Sequence, residues 1–333
     1  MNVHLRHYVE AAKKLGIKVD ILHPMLWARF EDNGKHWFIL NTAIPLTNTP
    51  STTIAKRKQL TNTVLKNAGI PVPAQHKLES VDEALELFEK YQEIVLKPHQ
   101  GLGGKHITIL PATQNEVINA YNEIIEAGKI PLLEQFIRGE NYRILVVNGR
   151  VIDILRRLPA TVIGDGEHTI SELVEIENER RRNLEADSKP RQIVLDEHTL
   201  HALKLQKSGV EDNAGAEGFK GLTLETVPIM GQKIQLSLTS NLTQGGTVES
   251  AFDEANEYYK QLAIDAIDAI DLNFGGVDLI TPSITEVLPK DQIAINEINY
   301  NPGIRLHYTL PVDQQKDVAL EIMQEIRLFK RSL

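Results

Sequence analysis

The sequence predicts an α+β fold with a short N-terminal α/β cap at residues 1–50, a first lobe at 51–130 and a second at 131–333. Three observations carry that expectation. Between residues 54 and 130, helical spacing of apolar positions alternates with short apolar runs. From Pro131 the pattern turns to strands, with Asn148-Gly149 set between two apolar runs as a hairpin signal. Near the end, Gly275-Gly276-Val277-Asp278 and Ile295-Asn296-Glu297-Ile298-Asn299 put acids inside two strand-like runs.

The elements follow in order. Residues 3–16 have helical spacing, and strands are expected at Val19–Leu22 and, after the turn Asp32-Asn33-Gly34, at Trp37–Ile39. Asn48-Thr49-Pro50-Ser51 marks a break. One helix is then expected from Ile54 to Ala68, stopped by Gly69 and Pro71. Ser80 with Glu83, and Thr113 with Glu116, open two more helices by capping-box logic. Between them, Ile94–Lys97 and His106–Leu110 read as paired strands around a glycine-rich turn. Leu132–Ile137, Tyr142–Val147 and Arg150–Arg157 read as strands, and Thr169 with Glu172 opens a helix. Residues 183–222 are polar and aperiodic, which predicts loop. A helix at Glu254–Ile270, strands at Val277–Ile280 and Ala294–Asn299, and a helix from Asp313 to Phe329 complete the chain. No internal repeat is evident.

Composition narrows the function. The net charge of -9, with no dominant basic tract, argues against a nucleic-acid partner. The absence of cysteine excludes disulfides, thiolate metal sites and a cysteine nucleophile. Charged residues are scattered through the first twenty positions, and no apolar run reaches the ~20 residues that cross a bilayer. A cytoplasmic chain with no membrane partner is expected.

Glu297 and Asn299 lie two apart, so on a strand they share a face, and Asp278 joins them if the strands pair. Two carboxylates and an amide oxygen make a hard-oxygen site suited to Mg²⁺. The plainer alternative is a solvated strand face. Lys97, in the apolar run Ile94-Val95-Leu96-Lys97-Pro98, needs a use for its ammonium. A phosphate is one, and snorkelling from an edge strand is the other. Gly101-Leu102-Gly103-Gly104-Lys105 lets backbone N–H groups approach phosphate oxygens, although it is not a P-loop. Glu134-Gln135-Phe136-Ile137 is a candidate adenine edge or an ordinary half-buried strand. Arg180-Arg181-Arg182 reads as a solvated helix end, and Asp265, Asp268 and Asp271 as solvent-facing. His307 is given a surface or packing role.

The order of these motifs resembles the ATP-grasp superfamily over about residues 50–333: Lys58-Gln59-Leu60-Thr61, Ala68-Gly69-Ile70-Pro71-Val72-Pro73, Leu96-Lys97-Pro98, the glycine loop, Glu134-Gln135-Phe136-Ile137-Arg138-Gly139, Tyr142-Arg143, Gly276-Val277-Asp278 and Glu297-Ile298-Asn299. Arg157 to Gly166, ending Gly164-Asp165-Gly166, then Ser240 to Gly246 and Asn299-Tyr300-Asn301-Pro302-Gly303, look like cyanophycin synthetase and the ATP-grasp half of bifunctional glutathione synthetase. The resemblance implies an ATP-grasp fold, two lobes gripping ATP, with the Gly-Asp-Gly insertion at about 160–235.

It also implies roles. Lys58, Lys97, Gly103, Gly104 and Lys105 would meet ATP phosphates, and Glu134, Phe136 and Ile137 would hold adenine. Asp278, Glu297 and Asn299 would bind two Mg²⁺, or Mn²⁺, with Glu297 bridging. Arg143 and Arg157 would stabilise the transferring phosphoryl group, Asn241 would open a loop of donors near the acceptor, and Arg305 would grip a substrate carboxylate. The implied reaction is ATP-dependent ligation of amino acids or small peptides through an acyl-phosphate. A kinase that phosphorylates a hydroxyl, or a nucleotide-binding regulator, would use the same motifs. A homodimer is the prior for the assembly. The sequence departs from the pattern at Asn141, where an acid usually meets the ribose, and at His106, where the phosphate loop usually has glycine.

Overall fold

The computed structural model describes residues 1–99, 106–184, 189–206, 221–240 and 242–332. The chain opens with α1 (Val3–Lys14), capped by the Asn2 side chain, which accepts from the His4 backbone N–H at 3.0 Å. An antiparallel sheet follows, made of β1 (Lys18–His23), β2 (Trp27–Asp32) and β3 (Lys35–Leu40) in that order. β2 is a strand that sequence reading missed. Its inward positions are Ala28, Phe30 and Asp32, so the apolar alternation ends in a carboxylate. That carboxylate is neutralised by Arg327 and Arg331 of the last helix.

The single helix expected from Ile54 to Ala68 is two: α2 (Thr49–Ala55) and α3 (Lys58–Asn67). Asn48-Thr49-Pro50-Ser51 is a helix start rather than a break. Asn48 caps α2, and Pro50 sits in its first turn, where no donor is lost. Arg57 is extended and separates the two helices, which places Lys58 at the first position of α3.

A four-stranded sheet comes next, ordered β4-β7-β5-β6, from β4 (Gln75–Lys77), β5 (Ile94–Pro98), β6 (Thr108–Ile109) and β7 (Pro131–Gln135). Helices α4 (Val81–Tyr91) and α5 (Gln114–Glu126) back it, capped by Ser80 and Thr113 as expected. Its core is Ala84, Phe88, Val117, Ala120 and Ile124 against Ile94, Leu96 and Leu133. β7 lies between β4 and β5. It is therefore interior to this sheet and packs with the preceding residues rather than with those that follow.

The five-stranded antiparallel sheet, ordered β12-β9-β8-β13-β14, contains β8 (Glu140–Val147), β9 (Arg150–Leu158), β12 (Thr247–Ser250), β13 (Phe274–Thr281) and β14 (Ala294–Asn299). Asn148 and Gly149 both have positive φ and close the β8–β9 hairpin. One face of the sheet, with Tyr142, Ile144, Val146, Ile154, Val277 and Leu279, packs on α8 (Glu257–Asp268) and takes Ala55 and Leu65 from α2 and α3. Elsewhere on the sheet, Leu145, Val147, Ile152 and Phe274 join α1, the cap sheet and α9 (Val318–Ser332) in a second core. α9 starts later than expected, after a 3-10 turn at Val312–Gln314.

Between β9 and β12 lies a unit with its own core, built from β10 (Thr161–Ile163), β11 (Lys233–Gln235), α6 (Ile170–Arg182) and α7 (Glu197–Lys204). α7 corrects the expectation of loop over 183–222. Asp196 and Thr199 exchange capping bonds at its start, a signal hidden by the polar sequence around it. Among the described residues no helix is long and apolar enough to cross a membrane.

Candidate functional site

Asp278 sits in the middle of β13, opposite Arg143 of β8 on one side and Glu297 of β14 on the other. Arg157 of β9 lies opposite Asn141 of β8. Strand alternation therefore puts Asn141, Arg143, Arg157, Asp278 and Glu297 on one face, away from α8. The Asp278 carboxylate is gripped by two guanidiniums. Arg143 donates from Nε and, at 3.0 Å, from Nη2, and Arg157 donates from Nη1 at 2.9 Å. Asn299 Nδ2 lies 3.5 Å from the same carboxylate, and Lys58 reaches Glu297 at 3.1 Å.

The glycines of Gly275-Gly276 explain how this packs. A Cβ at 275 would come within 2.4 Å of Ile267 on α8. At 276 it would meet the Arg143 side chain at 2.9 Å and Pro302 at 3.0 Å. Glycine there lets Arg143 lie across β13 to reach Asp278. Burial raises the Asp278 carboxyl, but Arg143 and Arg157 outweigh it and hold the group below the usual carboxylate range. Burial pushes Arg157 the other way, below the usual guanidinium value.

The donors suit Mg²⁺. Among the described residues no three His, Cys, Asp or Glu side chains gather as a metal cage. Two carboxylates and one amide are what a hard cation uses when substrate phosphates complete its shell.

A second cluster lies on the four-stranded sheet. Lys97 of β5 pairs with Glu134 of β7 at 2.7 Å, and Gln75 of β4 donates to the same carboxylate at 2.6 Å. Glu134 is buried, and its contacts are with Lys97 and Gln75, so its position suits holding Lys97 rather than facing an adenine. The edge-strand expectation also changes. β7 is flanked on both sides, and the Phe136 N–H already donates to the Glu93 carbonyl at 3.0 Å. Phe136 and Ile137 lie just past the end of β7, half-buried.

The remaining candidates are dispersed. Arg305 lies in a 3-10 turn (Ile304–Tyr308) after β14 and donates to the Lys189 carbonyl. Gly103, Gly104, Lys105 and Asn241 lie outside the described residues. Ser240, next to Asn241, accepts from Arg157 Nη2 at 3.0 Å. His106 adopts φ +55, the left-handed conformation that glycine favours. Gly164-Asp165-Gly166 forms a turn. Asp165 accepts from the Glu167 and His168 backbone N–H groups, and a Cβ at 164 would clash with the Ile229 carbonyl at 2.3 Å.

Two side chains exceed the roles the sequence suggested. Arg181 is not a solvated helix end. It is buried and donates to Glu177 and to the carbonyls of Arg191 and Gly245. His307 is buried, with Nδ1 2.6 Å from Asp153. The signal for that pair was Asp153 itself, a charge inside the apolar run Ile152-Asp153-Ile154. Asp265, Asp268 and Asp271 are exposed.

Residues 71–202 match the family described as prokaryotic glutathione synthetase, ATP-grasp domain. Cyanophycin synthetase of Crocosphaera subtropica is 32% identical over 275 residues, covering 81% of this chain and 30% of that protein. A glutathione biosynthesis bifunctional protein of Listeria monocytogenes is 30% identical over 315 residues, covering 92% of this chain and 39% of that protein. The crystal structure of a bifunctional glutathione synthetase from Pasteurella multocida covers the whole of this chain, and 44% of its own, at 25% identity and a TM-score of 0.68. The chain thus spans less than half the length of each of these proteins. Its sheets, the polar face of the larger one and these likenesses agree: the chain has the ATP-grasp fold and is similar in sequence to cyanophycin synthetases and to bifunctional glutathione-biosynthesis proteins.

Proposed function

We propose that this protein is an ATP-dependent carboxylate–amine ligase that joins amino acids or small peptides through an acyl-phosphate and releases ADP and phosphate. The observation that carries this reading is the convergence of Asp278, Glu297 and Asn299 with Arg143, Arg157 and Lys58 on one face of the five-stranded sheet. Likeness to proteins named cyanophycin synthetase and glutathione synthetase supports the substrate class.

In this reading Asp278, Glu297 and Asn299 would hold two Mg²⁺, or Mn²⁺. Metal ions held there would supply charge neutralisation at the β- and γ-phosphates. Lys58 and Lys97 hold phosphate oxygens, together with Gly103, Gly104 and Lys105. Phe136, Ile137 and Asn141 form the adenosine side, where the Asn141 amide can accept from a ribose hydroxyl. Glu134 orients Lys97. A substrate carboxylate, gripped by Arg305, attacks the γ-phosphorus as ADP leaves. Arg143 and Arg157 disperse the charge of the transferring group. An amine then attacks the acyl carbon and phosphate departs, beside donors from the loop that starts at Asn241. No protein nucleophile is needed. The enzyme works in the cytoplasm without nucleic-acid or membrane partners, as a homodimer.

Incubation with ATP, Mg²⁺, a panel of amino acids and hydroxylamine is expected to yield an acyl-hydroxamate and ADP. Intact ATP binding with no hydroxamate from any carboxylate would sink the ligase reading.

A further inference from the structure

The turn that carries Arg305 follows directly from β14, yet it is shaped by the other end of the chain. α1 grips it at two points. The His4 ring lies against Gly303, where a Cβ would come within 3.0 Å of the His4 Cε1. One helical turn on, the His7 ring stacks on Tyr308, with centroids 3.7 Å apart and planes within 8°. The Tyr308 hydroxyl donates to Asp317 at 3.0 Å, and Asp317 returns to α1 through Lys14 at 2.6 Å. At its near end the turn is fixed from the other side, because Pro302 packs over Gly276 beside Arg143. The segment 301–308 is thus clasped between the sheet that carries Asp278 and the first helix of the cap.

The contact is unusual in its polar atoms. Among the described residues, no protein group hydrogen-bonds the buried His4 Nδ1 or Asn301 Oδ1. Burying such an atom with no protein partner is costly. An apolar side chain in place of His4 would hold the helix to the turn without that cost, so the imidazole serves something besides adhesion. Arg305 is near enough to act on it. Burial first, and the Arg305 charge second, push the His4 imidazole below its usual value. Both causes favour the neutral ring, which occupies the space beside Gly303 without repelling the guanidinium.

We propose that His4 is a positioning residue for the substrate site: its imidazole, wedged against Gly303, sets the 301–305 turn so that Arg305 presents its guanidinium to the carboxylate of an amino acid or peptide. The proposal rests on the ligase reading and adds to it a residue from the cap.

The test compares His4→Ala, His4→Gln, Gly303→Ala and Arg305→Ala by ADP release, with the common L-amino acids as carboxylates and hydroxylamine as the amine. His4→Ala is expected to raise KM for the carboxylate about tenfold while KM for ATP stays within about twofold. His4→Gln, which keeps bulk and a polar end, restores most of the loss. Gly303→Ala displaces the ring and behaves like His4→Ala. The double variant is no worse than either, because removing the ring removes the clash. An unchanged carboxylate KM in His4→Ala, with Arg305→Ala impaired, overturns the role of His4 and leaves the ligase reading standing. So does a parallel rise in both KM values together with a fall in thermal midpoint. If the wild type turns over no carboxylate, the ligase reading fails. Hydrogen exchange then judges His4: faster exchange over 300–308 in His4→Ala, reversed in His4→Gln, supports it, and unchanged exchange overturns it.

Discussion

The two sheets treat a buried charge in opposite ways. On the four-stranded sheet, Lys97 meets one carboxylate, Glu134, and Gln75 adds a neutral donor, so the cluster balances. On the five-stranded sheet, Asp278 meets two guanidiniums, while Lys58 stands against Glu297. Among the described residues, three cations there face two carboxylates. An excess of positive charge in a partly buried site is costly unless an anion completes it. The balanced cluster can serve as a rigid holder for one ammonium. On the proposed function, the unbalanced one suits an incoming group that brings negative charge, as a nucleoside triphosphate does.

The largest expected effect breaks the second cluster. Glu297→Ala removes a carboxylate from the proposed metal set without touching the Asp278 clamp. Turnover is expected to fall by about 10³-fold or more, read as ADP release, with little loss of stability. Near-normal turnover would overturn the metal assignment. Asp278→Asn should lose both turnover and stability, because it strands the buried Arg143 guanidinium and the half-buried one of Arg157. About 3 kcal/mol is expected by denaturant unfolding.

Lys97→Ala tests the balanced cluster. Loss of one charged contact predicts a rise in KM for ATP of roughly 10–100-fold with kcat less affected. Glu134→Gln leaves Lys97 in place and should give a milder rise of the same kind. If Glu134→Gln were as severe as Lys97→Ala, Glu134 would touch the nucleotide itself.

A third ion cluster, remote from both sites, separates charge that holds the fold from charge that serves the site. Burial raises the Asp32 carboxyl, but hydrogen bonds from Arg327 and Arg331 outweigh that and hold it below its usual value. Its folded value is depressed, so its stabilisation is full above the unfolded value of about 4 and is lost as pH falls through the folded value. The thermal midpoint should be flat from about pH 5 to 8 and drop below about pH 4. Asp32→Asn should cost about 1–2 kcal/mol at pH 7 and shrink that acid drop. Its turnover per folded molecule should match the wild type.

How much of this was legible in the sequence depends on how far apart the partners lie. The hairpin at Asn148-Gly149, the caps at Ser80, Thr113 and Thr169, and the shared face of Glu297 and Asn299 are local patterns, and the structure has them. β2 was hidden because its inward Asp32 is paid for by residues 295 and 299 positions later. The break between α2 and α3 was hidden because Arg57 offers no glycine or proline to mark it. At the site, residue types and spacing pointed to Asp278 and Lys97. They did not reveal that Arg143 crosses Gly276 to reach Asp278, or that Glu134 faces Lys97, since both depend on strand order.

The smallest expected effect concerns His106, where the resemblance to ATP-grasp proteins implies a glycine in the phosphate loop. The structure gives the position φ +55, so the backbone takes the glycine-like conformation with a histidine in place. A non-glycine residue there costs about 1 kcal/mol, and glycine would recover that at an entropic cost of roughly 0.5–1 kcal/mol in the unfolded chain. The two effects nearly cancel, so His106→Gly should shift stability by less than about 0.5 kcal/mol. The KM for ATP should likewise stay within about twofold if backbone shape is what this position supplies. His106→Val, whose branched side chain tolerates positive φ poorly, should cost about 1–2 kcal/mol and raise KM for ATP. If glycine raised KM for ATP while stability held, the imidazole itself would meet the nucleotide. The first sheet would then bring a second side chain to the phosphates, and its contrast with the charge-rich second sheet would narrow.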